Sequence, residues 1–183
     1  TNMDFPSYVS GYATLELSDA VLDTANIGAA QFSSVSPGVA DLVDSQGSYL
    51  QASFSLPATA LAYDDVTKEV LSLSTTGGYR VNAGNVAGIQ GGGWFEVSGL
   101  TIDFSTQSII GTIEGQSSSG VAVSYTGDLF NALSMTYNPD TWQAPLYSLQ
   151  LNGLALNPLA FNAMLSSLDG GALLKVALAV AAA

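Results

Sequence analysis

Apolar and polar residues alternate most clearly within residues 91–126, which have the sequence GGGWFEVSGLTIDFSTQSIIGTIEGQSSSGVAVSYT. Leu100, Ile102 and Phe104 are separated there by Thr101 and Asp103, so a strand would carry one apolar and one polar face. Four polar residues at 105–108 precede a β-branched run at 109–113, and a third such run follows at 120–125. The pattern predicts antiparallel strands, with a hairpin joining the first two.

The same alternation recurs along the rest of the chain and predicts further strands. They are expected at residues 8–17, 48–56, 79–81, 129–136 and 145–156. Residues 66–73 are expected to form either a strand or one helical turn followed by a strand. Pro57 is expected to end the strand at 48–56 because proline has no N–H to donate to a neighbouring strand. Gly127 and Asp128 are expected to form a turn between the strands on either side.

Two stretches have helical character. Asn157 is a candidate N-cap and Pro158 suits the first helical position, so a helix is predicted to begin there. Its apolar stripe is expected to consist of Leu159, Met164, Leu165 and Leu168. Residues 19–26 are the second candidate, with Ser18 as N-cap. We therefore predict a single mainly β domain over residues 1–183, an antiparallel β-sandwich or curved sheet with one or two C-terminal helices.

Composition removes several classes of function. The chain has no Cys and no His, which excludes thiol chemistry, Cys-ligated metals, the Ser-His-Asp triad and the commonest general base. Three basic residues against 15 acidic ones give a net charge of −12, so the protein would repel nucleic acids and anionic membranes. No stretch approaches the roughly 20 apolar residues of a membrane span. We predict a protein that is not an enzyme, binds no nucleic acid and has no membrane span. A carboxylate-based hydrolase is the one enzyme class left open.

Two acidic groups and a glycine-rich run are candidates for metal or cofactor sites. Asp64, Asp65 and Glu69 form one acidic group, and Asp41 with Asp44 forms the other. Neither follows the calcium-loop pattern, and solvated loops are the better interpretation. Residues 82–93 are rich in glycine but contain no phosphate-loop motif and no Lys, which favours an ordinary loop. No metal and no cofactor is therefore predicted.

Aromatic residues supply the candidate ligand site. Those singled out lie in predicted strands or beside them: Tyr12, Tyr49, Tyr79 and Trp94. They could form a platform on which a sugar stacks, or a pocket for a small hydrophobic, haem-like or pigment-like ligand. The alternative is that they fill the β core or form cross-strand pairs. Exposure of the rings decides between the two.

Two segments of the second half carry a family resemblance. GGWFEVSGLTIDFSTQSIIGTI at 92–113 and YSLQLNGLALNPLAFNAMLSSL at 147–168 resemble exported bacterial β-rich proteins of the PEP-CTERM-associated kind. The resemblance implies an extracellular or cell-surface location and carries no catalytic residues. The chain departs from these proteins in having no Pro-Glu-Pro sequence and no basic terminus. Its strand-then-helix ending and Ala/Leu-rich terminus are also similar to secreted haem-scavenging proteins, although His is absent.

Assembly is the function that these features favour. Thr1 in place of Met predicts a processed, exported protein. Residues 1–17 and the apolar residues 172–183 could add to the sheet edge of a neighbouring copy. The residues expected to mediate this contact are Tyr8, Val9, Leu15, Leu17, Leu173, Leu174, Val176, Leu178 and Val180. We predict a structural subunit of an extracellular filament, matrix or surface assembly that forms a homopolymer. The alternative is a secreted binding module for a hydrophobic or aromatic ligand or a carbohydrate.

Overall fold

Antiparallel strands make up most of the chain in the computed structural model, which describes residues 2–4, 11–64, 66–67, 70–84, 92–137 and 149–168. The strands are β1 (Asn2–Asp4), β2 (Tyr12–Glu16), β3 (Gln31–Val35), β4 (Val39–Ser45), β5 (Ser48–Tyr63), β6 (Val70–Thr75), β7 (Gly78–Asn82), β8 (Trp94–Asp103), β9 (Ser108–Gln116), β10 (Ala122–Tyr137) and β11 (Leu149–Leu156). The helices are α1 (Asp19–Ile27) and α2 (Pro158–Ser167). The predicted hairpin is confirmed as β8 and β9.

Strand β5 connects two parts of one curled sheet. Its first half pairs with β2 on one side and β4 on the other, and its second half pairs with β1 and β6. The sheet continues from β6 through β8, β9 and β10 to β11. Strand β7 pairs with the beginning of β8, and β3 pairs with β7. Every one of these pairs is antiparallel, which confirms the predicted mainly β, curved antiparallel architecture.

Two predicted strand breaks are wrong. Strand β5 continues through Pro57, whose carbonyl accepts from the Thr76 amide at 3.0 Å while the next amide, that of Ala58, donates to Gly11 O at 2.8 Å. Pairing can therefore pass the one residue that lacks an N–H. Strand β10 likewise continues through the predicted turn at Gly127 and Asp128. A register shift just after them marks a bulge, and Leu129 within it is fully buried.

One apolar core lies inside the curl. Its largest fully buried apolar side chains come from β5, β8, β9, β10 and the end of α2: Phe54, Leu56, Val97, Ile113, Leu129 and Leu168. Helix α1 adds Leu22 and Ala25, and it begins after Ser18 as predicted. Among the described residues, neither α1 nor α2 is long enough to cross a membrane.

Helix α2 packs very closely on the inner face of the sheet. It begins as predicted, with the Asn157 side chain accepting from the Leu159 amide at 2.8 Å. The predicted apolar stripe is wrong in part, because Leu159 is 64% exposed. The buried face consists of Ala160, Ala163, Met164, Ser167 and Leu168. These are mostly small residues, and the end of the helix at Ser167 lies against two glycines, Gly93 just before β8 and Gly115 of β9.

Candidate functional site

Two of the four predicted ligand-binding aromatics belong to the core. Tyr79 is 7% exposed and its ring stacks on Phe54, with 5.2 Å between the ring centroids. Burial raises the pKa of the Tyr79 hydroxyl well above its usual range. Tyr49 is half-buried, lies edge-on to Phe32 at 5.0 Å, and its hydroxyl accepts from the Phe32 amide at 3.2 Å. Both rings contribute to packing, so neither offers an open face to a ligand.

The other two aromatics face outward but lie on different parts of the sheet. Tyr12 is 67% exposed on the outer face of β2, where it opposes Pro57 of β5. Trp94 begins β8 and is half-buried on the outer face, between Asn82 of β7 and Gln116 of β9. The four predicted residues therefore do not converge on one site. Trp94 alone has ionic and amide side chains around it.

The predicted assembly residues fall into two groups. Leu15 and Leu17 lie on the inner side of β2 and its continuation, where they are half-buried against the core. Strands β1 and β2 both pair with β5 of the same chain. The remaining predicted assembly residues lie outside the described residues: Tyr8, Val9, Leu173, Leu174, Val176, Leu178 and Val180.

Two adjacent rows of polar side chains cross the outer face around Trp94. From β3 through β7 and β8 to β9, one row is Gln31, Asn82, Trp94 and Gln116, and the next is Ser33, Arg80, Glu96 and Glu114. The residues between these rows point to the core, as the buried Val81, Phe95 and Gly115 show. We call the six side chains from β7, β8 and β9 the outer platform: Arg80, Asn82, Trp94, Glu96, Glu114 and Gln116.

Arg80 organises the outer platform. It is the only arginine of the chain, and its Nη1 lies 3.1 Å from Glu96 Oε1. Its Nε donates to Asn82 Oδ1 at 3.1 Å, and its Cζ lies 3.8 Å from the centroid of the Trp94 ring. The guanidinium is therefore held by an ion pair, a hydrogen bond and a cation–π contact. These three contacts fix the positions of the indole, the amide and the carboxylate together.

Several polar groups of the outer platform have no partner among the described residues. The Glu114 side chain is exposed and neither hydrogen-bonded nor ion-paired there. Gln116 donates through Nε2 to Gly120 O at 3.2 Å, which leaves its Oε1 as an acceptor. No described residue accepts from the Trp94 indole N–H. The platform thus combines a half-buried indole, whose ring contacts the Arg80 guanidinium, with a carboxylate, an amide oxygen and an indole donor that have no partner among the described residues.

The close contact of α2 supports the platform from the inner side. A Cβ placed on Gly115 would lie 2.2 Å from Ser167 Oγ and 2.6 Å from Trp94 O. A Cβ on Gly93, whose φ is +83°, would lie 2.2 Å from Ser167 O. Ser167 is fully buried and its Oγ donates to Ala163 O at 2.9 Å. The strand that carries Trp94 therefore rests on a helix that can approach only because these residues lack side chains.

Of the two acidic groups named above, Asp41 and Asp44 lie in β4 with exposed side chains, while Asp65 and Glu69 lie outside the described residues. Asp64 caps a loop, and so does Asp103, which belongs to neither group. Asp64 Oδ1 accepts from the amides of Val66 and Thr67, and these bonds lower the pKa of the Asp64 carboxyl. Asp103 Oδ1 accepts from the Ser105 hydroxyl at 2.6 Å, which is the main reason that the pKa of Asp103 is lowered. Among the described residues, no three acidic side chains are grouped as metal ligands would be.

Five of the six platform residues were not predicted as site residues. Arg80 and Asn82 alternate with the buried Tyr79 and Val81, so strand period alone places them on the outer face. What the sequence does not show is the register that sets Arg80 opposite Glu96 and Glu96 opposite Glu114.

Comparisons with protein-family models, with curated proteins and with solved structures found no match. The resemblance to PEP-CTERM-associated proteins consequently stays a prediction.

Proposed function

We propose that the protein is a non-catalytic carbohydrate-binding module and that the outer platform holds the sugar. The observation that carries the proposal is the arrangement around Trp94. The Arg80 guanidinium lies against its indole ring and holds it in place. The side-chain amides of Asn82 and Gln116 stand on either side of Trp94, and the carboxylates of Glu96 and Glu114 stand in the next row. Export from the cell, as expected from the sequence, is part of the same proposal.

The chemistry of the platform suits a saccharide better than an apolar ligand. A sugar ring has an apolar C–H face that can stack on an indole and hydroxyl groups that need both donors and acceptors. The Trp94 N–H and the Arg80 guanidinium supply donors, while Glu114 and Gln116 supply acceptors. A haem-like or pigment-like ligand would instead need an apolar pocket. The aromatic side chains that could line one, Tyr49 and Tyr79, pack against Phe32 and Phe54.

Removing the indole is the direct test of this proposal. Wild type and the variants Trp94→Ala and Tyr12→Ala would be compared on an array of glycans. Tyr12 is the matched control because it is an exposed aromatic on the outer face of a different part of the sheet. We expect Trp94→Ala to lose binding and Tyr12→Ala to keep it. Equal binding by wild type and Trp94→Ala, or binding to no glycan at all, would contradict the proposal.

Self-assembly is the second candidate function, and open strand edges favour it. Among the described residues, β2 and β4 flank the first half of β5 and neither pairs with a further strand on its other side. Val39 is 61% exposed and Val43 is 43% exposed on the outer face of β4. An edge strand with exposed apolar residues can pair with another copy.

The test for assembly is the mass in solution, measured across a range of concentrations, for wild type and Val43→Lys. Charge on an edge strand opposes edge-to-edge pairing, so assemblies that form through β4 should dissociate in the variant. A wild-type protein that stays a monomer of 18.7 kDa at every concentration would rule this candidate out.

A further inference from the structure

Glu96 and Glu114 lie directly opposite each other on β8 and β9, where two like charges oppose folding. Arg80 lies on the other side of Glu96 and forms an ion pair with it, as described above. One cation therefore faces two carboxylates. The charge of Glu114 is left without a counterion among the described residues.

The unpaired charge lies beside the aromatic ring of the outer platform. Gln116 is directly opposite Trp94, and Glu114 precedes Gln116 by two residues on the same face of β9. The Glu114 side chain is thus a diagonal neighbour of the indole, at a separation that long side chains can bridge. Glu114 and the Gln116 Oε1 are both acceptors. They flank the indole from β9, whereas Arg80 lies on β7, the strand on the other side of Trp94.

This geometry points to a positively charged ligand group, and we infer that the platform selects glycans built from amino sugars with free amines. The inference rests on the carbohydrate-binding function proposed above. An ammonium carries three donors and no acceptor, so it matches a carboxylate and an amide oxygen side by side. It would also supply the counterion that Glu114 lacks. Acidic glycans would be repelled by Glu114 and by the net charge of −12.

The test compares three trisaccharides: the trimers of glucosamine, which is cationic, of N-acetylglucosamine, which is neutral, and of galacturonic acid, which is anionic. Their affinities would be measured by calorimetry at a mildly acidic pH, where sugar amines are protonated, for wild type, Glu114→Gln and Glu16→Gln. Glu16 is the matched control because it is an exposed glutamate on the outer face of β2. Glu16→Gln removes the same charge away from the platform. A trisaccharide carries few charges, so its attraction to the overall charge of the protein is weak.

We expect wild type to prefer the glucosamine trimer and to bind the galacturonic acid trimer least. Glu114→Gln should weaken binding of the glucosamine trimer roughly three- to fivefold, the range of an exposed ion pair, and leave the N-acetylglucosamine trimer unchanged. Glu16→Gln should behave as wild type.

Three outcomes would overturn the inference. The first is equal or tighter binding of the N-acetylglucosamine trimer by wild type. The second is an equal loss in Glu16→Gln and Glu114→Gln, which would indicate attraction to the whole protein. Either of these leaves the carbohydrate-binding proposal standing, provided that Trp94→Ala abolishes the binding that is seen. The third is failure to bind any of the three trimers. The carbohydrate-binding proposal is then decided separately, by whether wild type binds any other glycan on the array and Trp94→Ala loses that binding.

Discussion

Replacing Gly115 with Ala tests the contact that supports the outer platform. The φ angle of Gly115 is accessible to alanine, so the backbone itself does not oppose the substitution. The new Cβ would lie 2.2 Å from Ser167 Oγ, 2.7 Å from Ser167 Cβ and 2.6 Å from Trp94 O. Ser167 is fully buried and hydrogen-bonded within α2, and the Trp94 oxygen belongs to the backbone of β8. Neither can move aside without shifting a helix or a strand.

The expected cost follows from two opposing effects. Overpacking of a well-packed site costs about 1–3 kcal/mol. Replacing glycine with alanine stabilises by about 0.4–1 kcal/mol, because the unfolded chain loses conformational freedom. We therefore expect Gly115→Ala to lower the free energy of unfolding by about 1–2 kcal/mol. In a domain of this length, that loss lowers Tm by roughly 2–8 °C.

Urea unfolding followed by circular dichroism measures this change, with Gly11→Ala as the control. Among the described residues, a Cβ on Gly11 would meet Ala58 Cβ at 3.6 Å, an ordinary contact, so the control should unfold at or slightly above the wild-type midpoint. Gly115→Ala should also weaken saccharide binding because the carbonyl of Trp94 is displaced. An unchanged midpoint in Gly115→Ala would refute the close packing of α2 on β9.

Three further substitutions test the core, a helix cap and a loop. Phe54→Ala should lower the free energy of unfolding by about 3–5 kcal/mol in urea titration, because the side chain is fully buried and stacks on a second aromatic ring. Asn157→Ala should cost about 1 kcal/mol in the same assay, since the Leu159 amide loses its acceptor. Asp103 has a folded-state pKa below 3.8, so its stabilising contribution is present above about pH 4 and is lost as pH falls through that lower pKa. The Tm difference between wild type and Asp103→Asn should therefore shrink in acid, and a difference independent of pH would contradict this assignment.

Much of the fold could be predicted because its signals are local. The alternation in β8 and β9 predicted the hairpin, and the Asn157-Pro158 pair predicted where α2 begins. Each signal depends on residues within one element. The mainly β, curved antiparallel class followed from the number of such segments.

Other features depend on contacts between distant parts of the chain. The sequence shows that Pro57 lacks an N–H. It does not show that the Thr76 amide donates to the Pro57 carbonyl, or that the Ala58 amide donates to the Gly11 carbonyl, and these two hydrogen bonds let β5 continue past Pro57. The buried face of α2 was predicted from the large residues. The buried face includes small residues instead, and the close approach of Ser167 to Gly93 and Gly115 could not be predicted from the helix alone.

For the same reason, Trp94 is the one platform residue that was predicted as a site residue. Trp94 was identified from its residue type, and alternation within β7 would separate the buried Tyr79 from the outward Arg80. The cross-strand register that brings Arg80, Glu96 and Glu114 into one row required the structure.

The most direct test of the central claim is the NMR signal of the Trp94 indole N–H during titration with the glucosamine trimer. Its cross peak can be identified by its disappearance in Trp94→Phe, since the chain has only two tryptophans. If a saccharide stacks on the outer platform, the peak shifts progressively and saturates together with the calorimetric binding curve. A peak that stays in place while the saccharide binds would put the ligand elsewhere on the protein and contradict the proposed site.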